Sequence, residues 1–185
     1  MAKKKNQSKP IWDIFDIVEI FILCTVCIVL LFSLFIRMTV VDGNSMNETL
    51  HNGEYLLVRD VLYTPERGDI VVVNDVSKGT YSSIYAAPLV KRVIAVGGDT
   101  VEINEGIVKV NGETLKEDYI SETMYPVDNM SVKLGEHEVF IMGDNRNHSG
   151  DSRIFGPVDE RCIIGKAFLR VFPFNTFSLL ESAGK

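Results

Sequence analysis

From Ile20 to Ile36 the chain reads IFILCTVCIVLLFSLFI, about 17 consecutive residues without a charge. At 1.5 Å rise per residue that run reaches about 25 Å as a helix, the short end of a bilayer crossing. Extending it back through Ile17 and Val18, with Glu19 at the interface, gives an expected anchor over residues 17–36. Before it, Asp13, Asp16 and Glu19 recur every three residues, with Ile11, Trp12, Ile14 and Phe15 largely between them. That spacing predicts an amphipathic lead-in along the membrane surface, with Trp12 at headgroup depth. A cleaved leader would end in a small-residue site just past the apolar run, whereas this chain continues RMTVVDGNSM. A core helix is the other alternative, but a sheet-rich domain of this size rarely hides one so uniformly apolar. Lys3, Lys4, Lys5 and Lys9 precede the run and only Arg37 follows it closely, which orients the N-terminus to the cytoplasm. Three parts follow: a basic head and lead-in over 1–16, the anchor over 17–36, and an extracytoplasmic domain over 37–185.

The formal net charge of −6 is that of the whole chain; with Lys3, Lys4, Lys5, Lys9, Asp13, Asp16 and Glu19 set aside, the remainder is acidic. No basic stripe and no aromatic–basic interleaving appear there, which argues against nucleic acid as a partner. Cys24 and Cys27 have C-x-x-C spacing but lie inside the apolar run without a further ligand, and read as small membrane-compatible side chains. Cys162 stands alone in the domain, so no disulfide framework is implied.

After Arg37 the pattern changes to short β-rich runs separated by turn signals. Strands are expected at Tyr55–Arg59, Asp69–Val73, Leu89–Val96, Thr100–Ile103, Ile107–Val110, Glu138–Met142 and Gly165–Val171. Asn104-Glu105-Gly106 reads as a hairpin turn and Asn111-Gly112 as a second. No amphipathic helix longer than about ten residues is evident. The expected fold is mainly β, with strands curling into packed sheets or a partly closed barrel. A polar, turn-rich stretch over about 97–136 reads as a hairpin-bearing insertion, and Val127–Lys133 receives no assignment.

Three stretches carry residues suited to chemistry. Asp42-Gly43-Asn44-Ser45-Met46 is a turn, and Gly43 permits an unusual backbone angle that presents Ser45 at a bend. A serine nucleophile needs a base and nearby oxyanion donors. Of the histidines, His51 and His137 have no recommending context, and His148 lies near Asp144 and Asp151 without a spacing that favours a triad. Lys91 is the odd residue. Strand alternation places it with Leu89, Val93 and Ala95 on an apolar face, and Arg92 on the other. Lost hydration there lowers a lysine pKa and makes a neutral amine available as a base. The third stretch, Gly143 to Arg153, alternates acids, arginines and small polar residues, as in a loop tied by Arg–carboxylate pairs. A Ca²⁺ loop is excluded there because Arg146 occupies a ligand position and no correctly spaced glutamate follows.

Taken together the stretches closely resemble the bacterial type I signal peptidases, a family of Ser/Lys endopeptidases. The matching blocks are the anchor, GNSMNETL around Ser45, RGDIVVV from Arg67, KRVIAVGGDTVEI from Lys91, GDNRNHSGDSRIFGPV from Gly143 and IIGKAFLRVFP from Ile163. The resemblance implies a β-sheet protease on the outer face of the cytoplasmic membrane that removes signal peptides from exported preproteins, without metal or organic cofactor. It implies Ser45 as nucleophile, Lys91 as base, Ser149 as the serine orienting the lysine amine, and Met46 near the substrate cleft. It also implies bracing roles for Asp144, Arg146, Asp151 and Arg153. Its partners would be preproteins with small residues before the cut, and membrane lipid. The lysine at 91 separates the chain from archaeal and endoplasmic-reticulum relatives, which use histidine. Two departures stand out: Glu48 replaces the proline of the S-M-x-P-T-L motif, and Gly43 replaces an oxyanion-hole hydroxyl. The Ser45 amide is then the expected oxyanion donor, with a second donor open.

Overall fold

The computed structural model describes residues 14–60, 63–74, 88–126 and 128–183, and within its helix not the side chains at 31, 32 and 34. It divides into two compact units, Met1–Phe35 and Ile36–Lys185. The first contains helix α1, Ile14–Phe35, whose described apolar side chains are largely exposed, Phe21 at 72% and Phe15 at 76% among them. Its 22 residues extend about 33 Å. Among the described residues no helix is long and apolar enough to cross a membrane. The anchor expected over 17–36 thus rests on the sequence. The helix begins at Ile14 and ends at Phe35, one residue short of the expected anchor's end; Trp12 and the basic head lie outside the described residues.

The second unit is mainly β. Its strands are β1 (Ile36–Val40), β2 (Tyr55–Arg59), β3 (Ile70–Val73), β4 (Leu89–Ala95), β5 (Thr100–Asn104), β6 (Ile107–Val110), β7 (Glu113–Thr114), β8 (Met130–Lys133), β9 (Glu138–Met142), β10 (Val158–Asp159), β11 (Ile163–Phe172) and β12 (Ser178–Leu179). A single-turn helix, α2 (Ser152–Phe155), lies between β9 and β10. Eight strands form one sheet in the order β1-β2-β11-β3-β4-β9-β10, with β12 on β11; the other four form a sheet in the order β7-β6-β5-β8. Every pairing is antiparallel. Register shifts in β11 and in β4 between Val93 and Ala95 are sites where local twist increases. Among the described residues the two ends of the large sheet, β1 and β10, do not pair, so it stays an open sheet.

The seven expected strands are all present, three with the expected bounds and four with ends moved by one or two residues. The two hairpin turns are present as well. Glu105 and Gly106 have φ of 50° and 82°, and Asn111 and Gly112 have 54° and 82°. Paired positive angles in a two-residue loop match the right-handed twist of the flanking strands. Strand β1 went unread because it follows the apolar run directly and, as an edge strand, shows no clean alternation. Strand β8 covers most of the unassigned stretch; Val127 lies outside the described residues.

Three buried clusters hold the domain. One lies between the small sheet and β4 and β9, around Ile94, Val101, Ile103 and Phe140. The second gathers Met46, Leu50, Leu56, Val72 and Val90, and the third Val71, Val93, Val139 and Ile141. Strand β4 contributes to all three and is buried along nearly its whole length. It is also the strand that carries Lys91 and Arg92.

Candidate active site

The turn that carries Ser45 follows β1. Gly43 has φ of 89°, a value open to glycine without strain, and its N–H donates to Asn52 Oδ1 (2.9 Å). One helical turn follows, with Leu50 N–H donating to Met46 O (2.9 Å). Met46 and Leu50 are 1% and 0% exposed and plug this turn into the core, which leaves Ser45 half-buried at the bend. Met46 is thus a floor beneath the turn. The Gly43 amide is taken by Asn52, which removes it as an oxyanion donor. Among the described residues the Ser45 N–H has no hydrogen-bond partner.

Lys91 enters from β4, cross-strand from Val71 on β3, and is buried. Its Nζ lies 2.6 Å from Ser45 Oγ and 3.1 Å from Ser149 Oγ. Among the described residues no carboxylate reaches it within ion-pair distance. Burial pushes its pKa down to about 8; Asp151 and Asp144 nearby favour the charged form, and Arg153 opposes it. The result is an amine in contact with a serine hydroxyl, with a neutral form accessible near physiological pH.

The loop after β9 closes over this pair. A Cβ on Gly143 would clash with both Ser149 Oγ and Ser45 O, so only glycine lets the loop and the Ser45 turn meet. Asn145 holds that turn from the other side, its N–H donating to Ser45 O and its Nδ2 to Asn44 O, each at 3.0 Å. Asp144 is fully buried and takes a two-pronged contact from Arg92 Nε (2.8 Å) and Nη2 (2.7 Å), while Thr49 Oγ1 donates to it at 2.5 Å. Asp151 accepts from Gly143 N–H (3.0 Å) and from Arg153 Nε and Nη2 (2.8 Å each). It also caps α2 by accepting from Arg153 N–H. Arg146 is buried, donates to Gly143 O (3.1 Å) and pairs with Glu117 from the segment before β8.

The structure therefore brings together Ser45, Lys91 and Ser149, and surrounds them with Asp144, Arg146, Asp151 and Arg153. It does not assemble a histidine site. His148 is exposed, and both nearby carboxylates are engaged with arginines. Arg92, assigned by alternation to the opposite face, is 1% exposed and among the largest fully buried side chains. Its third contact is Gly68 O (2.7 Å), and its guanidinium lies 4.1 Å above the Tyr119 ring. Sequence reasoning missed Arg92, Thr49, Asn145, Glu117 and Tyr119. Two adjacent basic residues inside an apolar strand were the available signal, since each buried charge demands its own compensation.

A family model described as "Signal peptidase, peptidase S26" matches residues 14–172. A protein named probable signal peptidase I-1 from Synechocystis is 39% identical over 77% of this chain and 74% of its own length. A signal peptidase I from Bacillus licheniformis is 34% identical over 95% of this chain and 97% of its own. A solved structure of a signal peptidase I from Enterococcus faecalis V583 superposes with a TM-score of 0.46 at 28% identity, covering 56% of this chain and 97% of that one.

Proposed function

The chain belongs to the signal peptidase, peptidase S26, family, and on that premise we propose that it is a membrane-bound serine endopeptidase that removes signal peptides from exported preproteins with Ser45 and Lys91. The observation that carries the residue assignment is the 2.6 Å contact between Ser45 Oγ and a buried Lys91 Nζ. Ser45 Oγ attacks the scissile carbonyl as Lys91 takes its proton, and the Ser45 N–H donates to the developing oxyanion. Lys91 then delivers the proton to the departing amine, the C–N bond breaks, and water resolves the acyl-enzyme. Ser149 holds the amine on its other side. Asp144, Asp151, Arg146 and Arg153 keep the loop that carries Ser149 in register with the Ser45 turn.

Attachment to the membrane is supported by two features, one in each unit. The first is the exposed apolar surface of α1, with its N-terminus on the cytoplasmic side by the lysine rule. The second is an apolar surface on the β domain formed by Met38, Tyr55, Val171, Phe172 and Phe174. There Phe174 is 81% exposed, and the rings of Tyr55, Phe172 and Phe174 stack edge to face at 5.7 and 5.5 Å. Such a patch on a soluble face marks an apolar contact surface.

The test is cleavage of a labelled preprotein in detergent by the parent, Ser45→Ala and Lys91→Ala across pH. The active form of Lys91 is neutral, so the parent rate rises with pH through about 8 and levels off above it. At pH 7 about a tenth of the enzyme is competent by that value. Both variants lose cleavage, and a Lys91→Ala enzyme that still cut at the parent rate would overturn the assignment.

A further inference from the structure

We propose that the cavity behind Ser149 is the subsite for the residues that follow the cut, so that the enzyme selects the mature end of its substrate as well as the signal peptide; this rests on the reading above. The cavity has a volume of about 430 Å³, and its lining includes Ser149, Met124, Tyr125, Met130, Arg153 and Ile154. That is within the size range of ligand pockets. Neither Ser45 nor Met46 lines it, which separates it from the space that the residues before the cut would occupy.

Its place beside the proton carrier gives the assignment. Lys91 Nζ is flanked by two hydroxyls, Ser45 at 2.6 Å and Ser149 at 3.1 Å. Once Ser45 Oγ has added to the carbonyl, the protonated amine must reach the departing nitrogen within hydrogen-bond distance. The chain leaving from that nitrogen then runs past Ser149, where this cavity lies.

The walls are held and chemically mixed. Asn147 accepts from Tyr125 N–H (2.8 Å) and donates to Thr123 O (3.2 Å), which stitches segment 122–125 to the catalytic loop. Tyr125 and Ile154 are 65% and 50% exposed, an apolar pair on which a side chain can rest. Arg153 uses Nε and Nη2 on Asp151, while its Nη1 faces Met124 Sδ at 3.1 Å. A thioether is a weak acceptor, so that nitrogen would gain a stronger bond from a peptide carbonyl. An apolar pair beside a cationic donor suits an extended peptide with an apolar side chain in its first few positions.

The full chain in detergent is assayed on preproteins identical up to the cut, with Gly-Gly-Gly, Leu or Trp placed in the first three positions after it. Ile154→Trp narrows the cavity and Tyr125→Ala opens it. The expected result is that Ile154→Trp lowers kcat/KM about tenfold for Trp-containing substrates while the glycine substrate stays within about twofold. Tyr125→Ala shifts the preference the other way. Changes before the cut are discriminated as by the parent. In parallel, the Ser45→Ala protein is titrated with a peptide spanning the cut and with one ending at it; the spanning peptide binds more tightly, and Ile154→Trp erases the difference. If the parent cuts but neither variant alters the dependence on residues after the cut, the subsite is wrong and the peptidase reading stands. If no preprotein is cut yet the Ile154-dependent binding difference persists, the peptidase reading fails and the peptide site survives. Equal binding of the two peptides to Ser45→Ala, with or without cleavage, overturns the subsite.

Discussion

Two lysines flank Val71 in one cross-strand row of the large sheet, Lys91 on β4 and Lys166 on β11. Each touches a serine hydroxyl. Lys166 Nζ lies 3.0 Å from Ser182 Oγ but also 2.6 Å from Asp69 Oδ1, and Asp69 accepts from Tyr63 OH (2.7 Å) as well. Among the described residues Lys91 Nζ meets the hydroxyls of Ser45 and Ser149 and no carboxylate. A serine beside a lysine is thus not enough to make a base. A carboxylate in contact turns the pair into a structural tie, here one that fastens the segment after β12 to β3 and β11. Buried without that carboxylate, the amine has reason to give its proton up.

The strongest way to break the contrast is to give Lys91 what Lys166 has. Ser149→Asp places a carboxylate beside Nζ, which favours the charged amine and moves the rising limb of activity well above pH 8. Cleavage at pH 7 is expected to fall about 1,000-fold, with partial recovery near pH 10. A variant that cut normally at neutral pH would show that the carboxylate is not what separates the two sites.

The reverse operation removes the carboxylate from the tie. Burial alone would raise the Asp69 pKa, but the bonds from Lys166, Ser182 and Tyr63 outweigh it and hold it below the usual range. The stabilisation is therefore present above about pH 4 and is lost as pH falls through the folded-state value. Asp69→Asn is expected to cost about 3 kcal/mol at neutral pH in denaturant unfolding and to converge with the parent in acid. Adding Lys166→Met to it should recover part of the loss, because the lysine is then no longer left without its partner. The pH midpoint of the activity that survives should not move.

The smallest effect concerns what Lys91 does to folding. Its pKa is lowered from 10.5 to about 8, so it opposes folding fully below pH 8, and that cost disappears as pH rises to 10.5. Lys91→Met, which keeps the length of the side chain, should abolish cleavage yet raise stability by about 2 kcal/mol at pH 7, after allowing for the lost hydroxyl contacts. The gain should shrink above pH 8. A loss of stability at pH 7 would mean that the amine is better accommodated than its burial implies.

Much of this was legible in the chain because it is written in short-range chemistry. The uncharged run predicted a helix, Asn111-Gly112 predicted its turn, and the β-branched run within Asp69–Val73 predicted a strand, since each depends on neighbours a few residues away. Ser45 and Lys91 were legible by resemblance of the blocks that contain them. Arg92 was not. Alternation sorts residues between two faces of a strand and cannot tell a wet face from a dry one, and β4 is covered on both.

The sequence by itself determined the segregation of a helical head from a β-rich domain, the positions of most strands and turns, and the residue types available for catalysis. Only the tertiary structure decided what surrounds each lysine. Lys91 and Ser45 meet across 46 residues, Arg92 and Asp144 across 52, and Asn145 and Asn44 across 101. Desolvation and carboxylate contact are properties of what distant strands pack against a side chain, and they separate two lysines that local sequence leaves alike.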